Sequence, residues 1–342
     1  MTRLVPSPSV NNNLMPLPDI NYCPGTLAPD YHTYSPTALK RVFHGKKVSH
    51  ILPYDAPASN PATDELFAEN RGRMSISGVQ EKFSVLLEKN KLRLIKDGER
   101  GGYILKPIPA AGKKPDQMPA NEHLTMQIAR QVYGIETAEN ALIFFQNGAP
   151  AYITKRFDVA EDGSKLAQDD FASLAGRTPQ THGEHYKYLG NYLELFQLLE
   201  KYVPAYTVEK PKLLKLLLFN YLFSNGDAHF KNFSLLETPL GDYRLSPAYD
   251  LLNSQIHSQD HDFALDDGLL PKPLAQGKVM HQFSVLAEQA RIPQKIFAAI
   301  TDLLLSKTDE VERLTFASYL DPKTQRHYWQ SYQWRLRQLK KI

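Results

Sequence analysis

Hydrophobic and polar positions change their period along this chain. Phe83-Ser-Val-Leu-Leu-Glu and Leu92-Arg-Leu-Ile-Lys alternate apolar and polar positions around a Lys89-Asn90-Lys91 break. Alternation interrupted by a short polar turn predicts a β-hairpin. Tyr103-Ile-Leu-Lys-Pro reads as a third strand, and residues 141–145 and 151–157, joined through Asn147-Gly148, read as a second hairpin. Between them residues 121–134 adopt a helical period, with Leu124, Ile128 and Val132 on one face. Asn121 is the predicted N-cap and Gly134 the terminator.

Beyond Asp158 the helical period dominates. Helices are predicted over residues 188–203, 209–224, 285–305 and 323–342. The last is basic and aromatic, and reads as an amphipathic closing helix with Tyr328, Trp329, Tyr332 and Leu336 inward. Strands first and helices afterwards predict an α+β chain of two lobes, a small β-rich lobe at 71–155 and a larger helical lobe at 156–342. Residues 1–70 carry Pro6, Pro8, Pro16, Pro18, Pro24, Pro29 and Pro36 and a second Pro-rich stretch at 53–63. That composition predicts an N-terminal extension, an extended or partly disordered arm, in which Ser35-Pro36-Thr37 caps a short helix through Phe43.

Composition narrows the class without changing this picture. The 342 residues are 42% hydrophobic and 23% charged, enough to bury a large core. A formal charge of +3 is too small to make nucleic acid the main partner. Cys23 is the single cysteine, so no internal disulfide forms. The apolar run 213–223 is interrupted by Lys215 and Asn220 and reads as a core helix, not a membrane span. Thr2-Arg3 leads into a Pro/Asn-rich stretch with no signal-peptide pattern, so the expected location is the cytoplasm.

The candidate chemistry begins at Asn225-Gly-Asp-Ala-His-Phe-Lys-Asn232. Asp227 and Asn232 repeat the D-x-x-x-x-N spacing of a kinase catalytic loop, in which a carboxylate meets an incoming hydroxyl and a carboxamide oxygen meets a metal ion. Asp250 follows on a later segment, where a second carboxylate can hold Mg²⁺ bridging ATP phosphates. Lys106 ends an apolar strand, where a point charge can meet the α- and β-phosphates, and Glu122 on the next helix can pair with it. Ser75-Ile-Ser-Gly-Val-Gln-Glu-Lys82 precedes the first hairpin, where a phosphate-covering loop belongs; Ser77, Gly78, Val79, Gln80, Glu81 and Lys82 are its candidate contacts. Lys155, Arg156 and Phe157 stand where a hinge between lobes can read an adenine edge through the backbone. His182/His185 and His257/His261 have metal-like spacings, but lack cysteine partners and an H-E-x-x-H helix, and no G-x-S-x-G elbow occurs.

Taken in order, the Ser75–Lys82 stretch, Ile104-Leu-Lys-Pro, Asn121-Glu-His, Lys155-Arg-Phe-Asp, Asn225-Gly-Asp-Ala-His-Phe-Lys-Asn-Phe-Ser and Pro247-Ala-Tyr-Asp-Leu resemble the HipA family of bacterial toxin–antitoxin serine/threonine kinases. The resemblance implies a two-lobed protein-kinase-like fold, ATP and Mg²⁺. Asp227 would be the catalytic base, Asn232 and Asp250 the metal ligands, and Lys106 the phosphate contact. His229 and Lys231 would lie near the transferred phosphoryl group, with Tyr249 beside the nucleotide. It also implies autophosphorylation at Ser75 or Ser77, with inactivation as the result.

The short stretch before Ser75 is most similar to the HipT type, whose companions are a small HipS-like protein and a HipB-like DNA-binding antitoxin. The implied target is an aminoacyl-tRNA synthetase, phosphorylated to arrest translation. Two other readings stay open: a non-catalytic nucleotide-binding module in a DNA-bound repressor complex, and a small-molecule kinase.

Overall fold

The computed structural model describes Leu17, residues 19–57, Phe67, and residues 80–160, 163–259 and 261–341. Both predicted hairpins form. Strands β1 (Phe83–Glu88), β2 (Lys91–Leu94), β3 (Tyr103–Pro107), β4 (Asn140–Phe144) and β5 (Pro150–Lys155) make an antiparallel sheet in the order β2-β1-β3-β5-β4. The second hairpin turns at Gly148, whose φ of +85° is the left-handed geometry that glycine tolerates best. β3 lies inside the sheet between β1 and β5, so a residue at its end is held from both sides.

One face of the sheet is covered by the Pro-rich segment, where composition predicted an extended arm. Helix α1 (Pro36–Phe43) starts as predicted, with Ser35 accepting from the Ala38 amide and Pro36 in the first turn. Its Val42 and Phe43 share a buried cluster with Phe67, Phe83, Val85, Leu105, Phe145 and Ile153. The outer edge of β4 is closed by the same segment: Leu142 N–H donates to Pro24 O, Leu52 N–H to Phe144 O and Phe144 N–H to His50 O. The prolines do not leave this backbone extended: it turns at 24–26, with Leu27 at φ +57° and Asp30 at φ +63°, before entering α1. The apolar side chains between them, Cys23, Tyr34, Val48 and Leu52, are what bind it to the sheet.

Helix α2 (Met118–Gln131) packs on the other face. It starts earlier than predicted, with Pro119 in its first turn, and Asn121 lies inside the helix, fully buried, not at its cap. The helix is buried on all sides, because the sheet covers one flank and the closing helix the other; Thr125 Oγ1 and the Tyr328 hydroxyl share a 2.9 Å hydrogen bond.

The helical part comprises α3 (Leu193–Tyr202), α4 (Tyr206–Leu222), α5 (Val279–Gln289), α6 (Gln294–Ser306), α7 (Thr308–Phe316) and α8 (Pro322–Leu339). The predicted helix over 285–305 is two helices. Arg291 sits at φ +54° and Pro293 lacks the amide that a continuing helix needs. The closing helix is amphipathic as predicted: Tyr328 and Tyr332 are fully buried, Leu336 is buried and Trp329 packs against the core. A second antiparallel sheet, β6 (Gln168–Asp170), β7 (Ser234–Glu237) and β8 (Tyr243–Leu245), escaped the sequence reading because its strands are too short to show a period. It matters for the site: β7 starts just after Asn232, and β8 leads into Asp250. No helix among the described residues is long and apolar enough to cross a membrane.

Candidate active site

Lys106 projects from the end of β3 and is 4% exposed. A buried ammonium needs anionic partners, and it has two. Nζ donates to Glu122 Oε1 at 2.6 Å and also to Asp250 Oδ1. Burial alone pushes the Lys106 pKa down, but Asp250 and Glu122 outweigh it, and the net shift is upward. Burial pushes Asp250 up, yet Lys106 and Lys82 hold it well below the usual carboxylate range. Glu122 is raised, by burial and by the neighbouring charge of Asp250. Lys82 Nζ approaches Asp250 Oδ2 at 3.4 Å, so two cations and two carboxylates meet in one cluster. Asp250 adopts φ +55°, a left-handed conformation that Asp tolerates better than most residues.

The loop carrying Asp227 follows α4. Ser224 turns the chain at φ +54°, and Ser254 fixes that turn: its amide and hydroxyl donate to Ser224 O, and its Oγ accepts from Gly226 N–H at 2.8 Å. His229 N–H bonds Asp227 O, and Asn232 N–H bonds His229 O, closing a compact loop. The Asp227 side chain is half exposed and so open to an incoming group. Its Oδ1 accepts a 2.8 Å hydrogen bond from the Tyr188 hydroxyl. His229 is buried, and burial and nearby Lys187 lower its pKa to about 3, so the ring is neutral at physiological pH.

Asn232 is brought to Asp250, with Nδ2 3.5 Å from Oδ2. Asn232 Oδ1 is buried and has no hydrogen-bond partner among the described residues. A partnerless carboxamide oxygen beside a carboxylate is a hard-oxygen pair that fits Mg²⁺. Among the described residues no group of three His, Cys, Asp or Glu side chains is arranged to hold a metal by itself. An ion here would therefore share its coordination with phosphate oxygens and water.

Beside this cluster lies a cleft of about 190 Å³. Of the expected nucleotide contacts, Lys82, Lys106, Lys155, Arg156, Phe157, Tyr249 and Asp250 line it. Two of the three amides expected to form a hinge are already used inside the protein, Lys155 N–H on Glu139 O and Arg156 N–H on Gly102 O. Arg156 grips Asp158 with a two-pronged ion pair. Tyr249 packs at a tilt against Phe157, with centroids 5.6 Å apart, and its hydroxyl bonds Lys231 O and Ser234 Oγ.

Asp227, His229, Lys231 and Asn232 do not line the cleft; they stand at its side, joined to it through Asp250 and Tyr249. The Lys231 ammonium lies 4.0 Å from Asp170. Gln80 Nε2 bonds Pro107 O, anchoring the chain before Lys82 to the end of β3; Glu81 also lies within the described residues but outside the cleft lining. Ser75, Ser77, Gly78 and Val79 lie outside the described residues.

Ile104, Thr154, Asp158 and Gln168 also line the cleft and were missed in the sequence. For two of them a signal existed: Ile104 shares a strand face with Lys106, and Thr154 pairs with Ile104 across the sheet. Gln168 and Tyr188 had none, since each reaches the site from a distant short element.

The HipA-like C-terminal domain model matches residues 74–311. The "Putative kinase Y4dM" of Sinorhizobium fredii is 30% identical over 264 residues, 72% of this chain and 61% of that protein. The serine/threonine-protein kinase toxin HipA of Shewanella oneidensis is 25% identical over 279 residues, 73% of this chain and 62% of that protein. The chain thus spans about three fifths of the length of these two relatives. The solved Shewanella oneidensis HipA, in a complex with HipB and its operator DNA, aligns with a TM-score of 0.59 at 20% identity, over 79% of this chain and 67% of that one. The fold is that α+β, kinase-like architecture. A match covering the five-stranded sheet, the Lys106 cluster and the Asp227 loop places this chain in the HipA-like family.

Proposed function

We propose that this chain is an ATP-dependent serine/threonine protein kinase and the toxin of a toxin–antitoxin system. The observation that supports it best is the convergence of Lys106, Glu122, Asp250 and Asn232 beside the exposed carboxylate of Asp227. In the reaction, the acceptor oxygen bonds to the γ-phosphorus as the bond to the β–γ bridging oxygen breaks. ADP leaves, and Asp227 takes the acceptor's proton.

Lys106, charged and buried, holds the nucleotide phosphates, while Glu122 keeps its ammonium in place. Asp250 and Asn232 would hold Mg²⁺, which when bound neutralises charge on the phosphate oxygens. Catalysis is then mainly positioning and charge compensation.

The protein acts, on this reading, in the cytoplasm on an aminoacyl-tRNA synthetase. A HipB-like antitoxin is its partner, by analogy with the HipA–HipB–operator complex, and a small HipS-like protein completes the tripartite assembly. Self-phosphorylation at Ser75 or Ser77 switches it off.

The deciding experiment is incubation with γ-³²P-ATP and Mg²⁺, alone and with purified synthetases. Wild type should label itself and one synthetase on serine or threonine, and Asp227→Asn should leave only a slow residual transfer while binding ATP normally. Transfer retained by Asp227→Asn at the wild-type rate would remove Asp227 from the mechanism. A wild type that binds ATP without any transfer would sink the kinase reading.

A further inference from the structure

We infer that Tyr188 is a positioning residue of the transfer reaction, whose hydroxyl fixes the Asp227 carboxylate in the orientation that meets the acceptor. The inference rests on the kinase reading above and adds to it a residue outside the 225–232 loop.

Asp227 poses a geometric problem for a base. Its side chain is 51% exposed, and an exposed carboxylate samples several rotamers and orientations. A base that is misdirected part of the time loses rate in proportion, and small displacements of a reacting group are costly. The 2.8 Å bond from the Tyr188 hydroxyl to Oδ1 restrains the plane of that carboxylate.

Tyr188 is itself well held. It ends the one-turn helix Tyr186–Tyr188, and its backbone oxygen accepts from Asp266 N–H at 2.9 Å. Its ring lies against His185, with centroids 4.9 Å apart, and meets His229 edge-on at 5.1 Å. The Lys187 ammonium is 5.0 Å from the ring centre. Such packing makes the phenol a fixed donor, not a mobile gate. A cation over the ring also strengthens O–H donation.

His229 Nε2 is 4.0 Å from the same Oδ1. Because the ring is neutral, it does not compete as an ion-pair partner that would draw the carboxylate away.

The test compares wild type with Tyr188→Phe, which keeps the ring and removes one oxygen. Initial rates of self-labelling are measured against γ-³²P-ATP concentration with Mg²⁺, together with melting temperature. The maximal rate should fall about 10- to 100-fold, as for loss of base alignment, with half-saturating ATP unchanged within about twofold and the melting temperature preserved. In an Asp227→Asn background the same change should have no further effect on residual transfer, since the group being positioned is gone.

An unchanged maximal rate would overturn the inference. So would a faster one, because Tyr188 would then be an obstructing occupant of the acceptor position. An equal fractional loss in the Asp227→Asn background, or loss accompanied by a lower melting temperature, would assign Tyr188 a general structural role instead. A silent wild type would refute the kinase reading itself, a result distinguishable from all of these.

Discussion

Asn121 and Asn253 are joined by two hydrogen bonds: Asn121 Nδ2 donates to Asn253 O at 2.9 Å, and Asn121 Oδ1 accepts from Asn253 N–H at 3.0 Å. The side-chain amide thus pairs with a backbone amide as a neighbouring strand would. Asn121 adjoins Glu122, and Asn253 lies just after Asp250, so the pair holds the two carboxylates of the Lys106 cluster in register. Both asparagines are buried.

Asn121→Ala should therefore cost about 2–4 kcal/mol in urea unfolding, because it strands a buried N–H and a buried C=O. Half-saturating ATP should rise as Asp250 loosens. Asn121→Asp keeps the acceptor but buries a carboxylate oxygen against Asn253 O, and should lose at least as much. Equal stability of Asn121→Ala and wild type would show that water replaces the clamp.

The Lys106–Glu122 pair yields a sharper test, because both side chains are buried. Removing one partner leaves an uncompensated charge, and Lys106→Met should cost about 3–5 kcal/mol and abolish ATP-dependent labelling. Glu122→Gln added to Lys106→Met should restore part of the lost stability, since the carboxylate then no longer needs a cation, but none of the activity. Additive losses in the double variant would mean that the pair is not coupled.

How much of this was legible beforehand follows from the range of each interaction. The Asp227–Asn232 spacing is local, so five steps of chain carry its geometry and it stands in the sequence unaided. Lys106 and Glu122 were readable as a strand-end cation and a helix-start anion, because β3 and α2 are regular elements. Asn121 was misread as a cap because Asn at a helix start is usually one. Its real partner, Asn253, is 132 positions away.

The Pro-rich segment was read by its proline content, while its core contribution is spread over single apolar residues such as Tyr34 and Phe43 without a period. Tyr188 was invisible for a related reason. It reaches Asp227 from a one-turn helix that belongs to no periodic pattern.

Ser75 and Ser77 lie outside the described residues, but Lys82, which ends their loop, is ion-paired with Asp250 at 3.4 Å. A phosphoserine adds a charge of about −1.5 to −2 close to where the ATP phosphates would lie, and it can compete with Asp250 for Lys82 and Lys106. Ser75→Asp with Ser77→Asp should accordingly raise half-saturating ATP by about tenfold or more, equivalent to about 1.4 kcal/mol. Ser75→Ala with Ser77→Ala should bind ATP as wild type does and lose self-labelling. Undiminished ATP affinity in the aspartate variant, read by equilibrium binding, would count against charge as the switch.

Stability should fall between pH 7 and pH 5, and two buried histidines set the sign. Burial lowers His229 and His123 to about 3 from an ordinary 6.5. The folded state therefore refuses a proton that the unfolded chain accepts. Their contribution is fully present above pH 6.5 and is lost as pH falls toward 3.

At pH 5 each removes about 2 kcal/mol relative to pH 7, and His50 and His257, also lowered by burial, act in the same direction. Glu122, raised by burial, takes up its proton more readily in the folded state and offsets part of this drop, while the other two members of the ion cluster leave the window clear. Asp250 is depressed, so its contribution is lost only as pH falls below 3.8, and Lys106 is raised, so its contribution is lost only above 10.5. Urea unfolding at pH 7 and pH 5 should show the drop, and His123→Gln, whatever its effect at pH 7, should reduce the difference by about 2 kcal/mol. A wild type equally stable at both pH values would mean that these rings take up protons in the folded state.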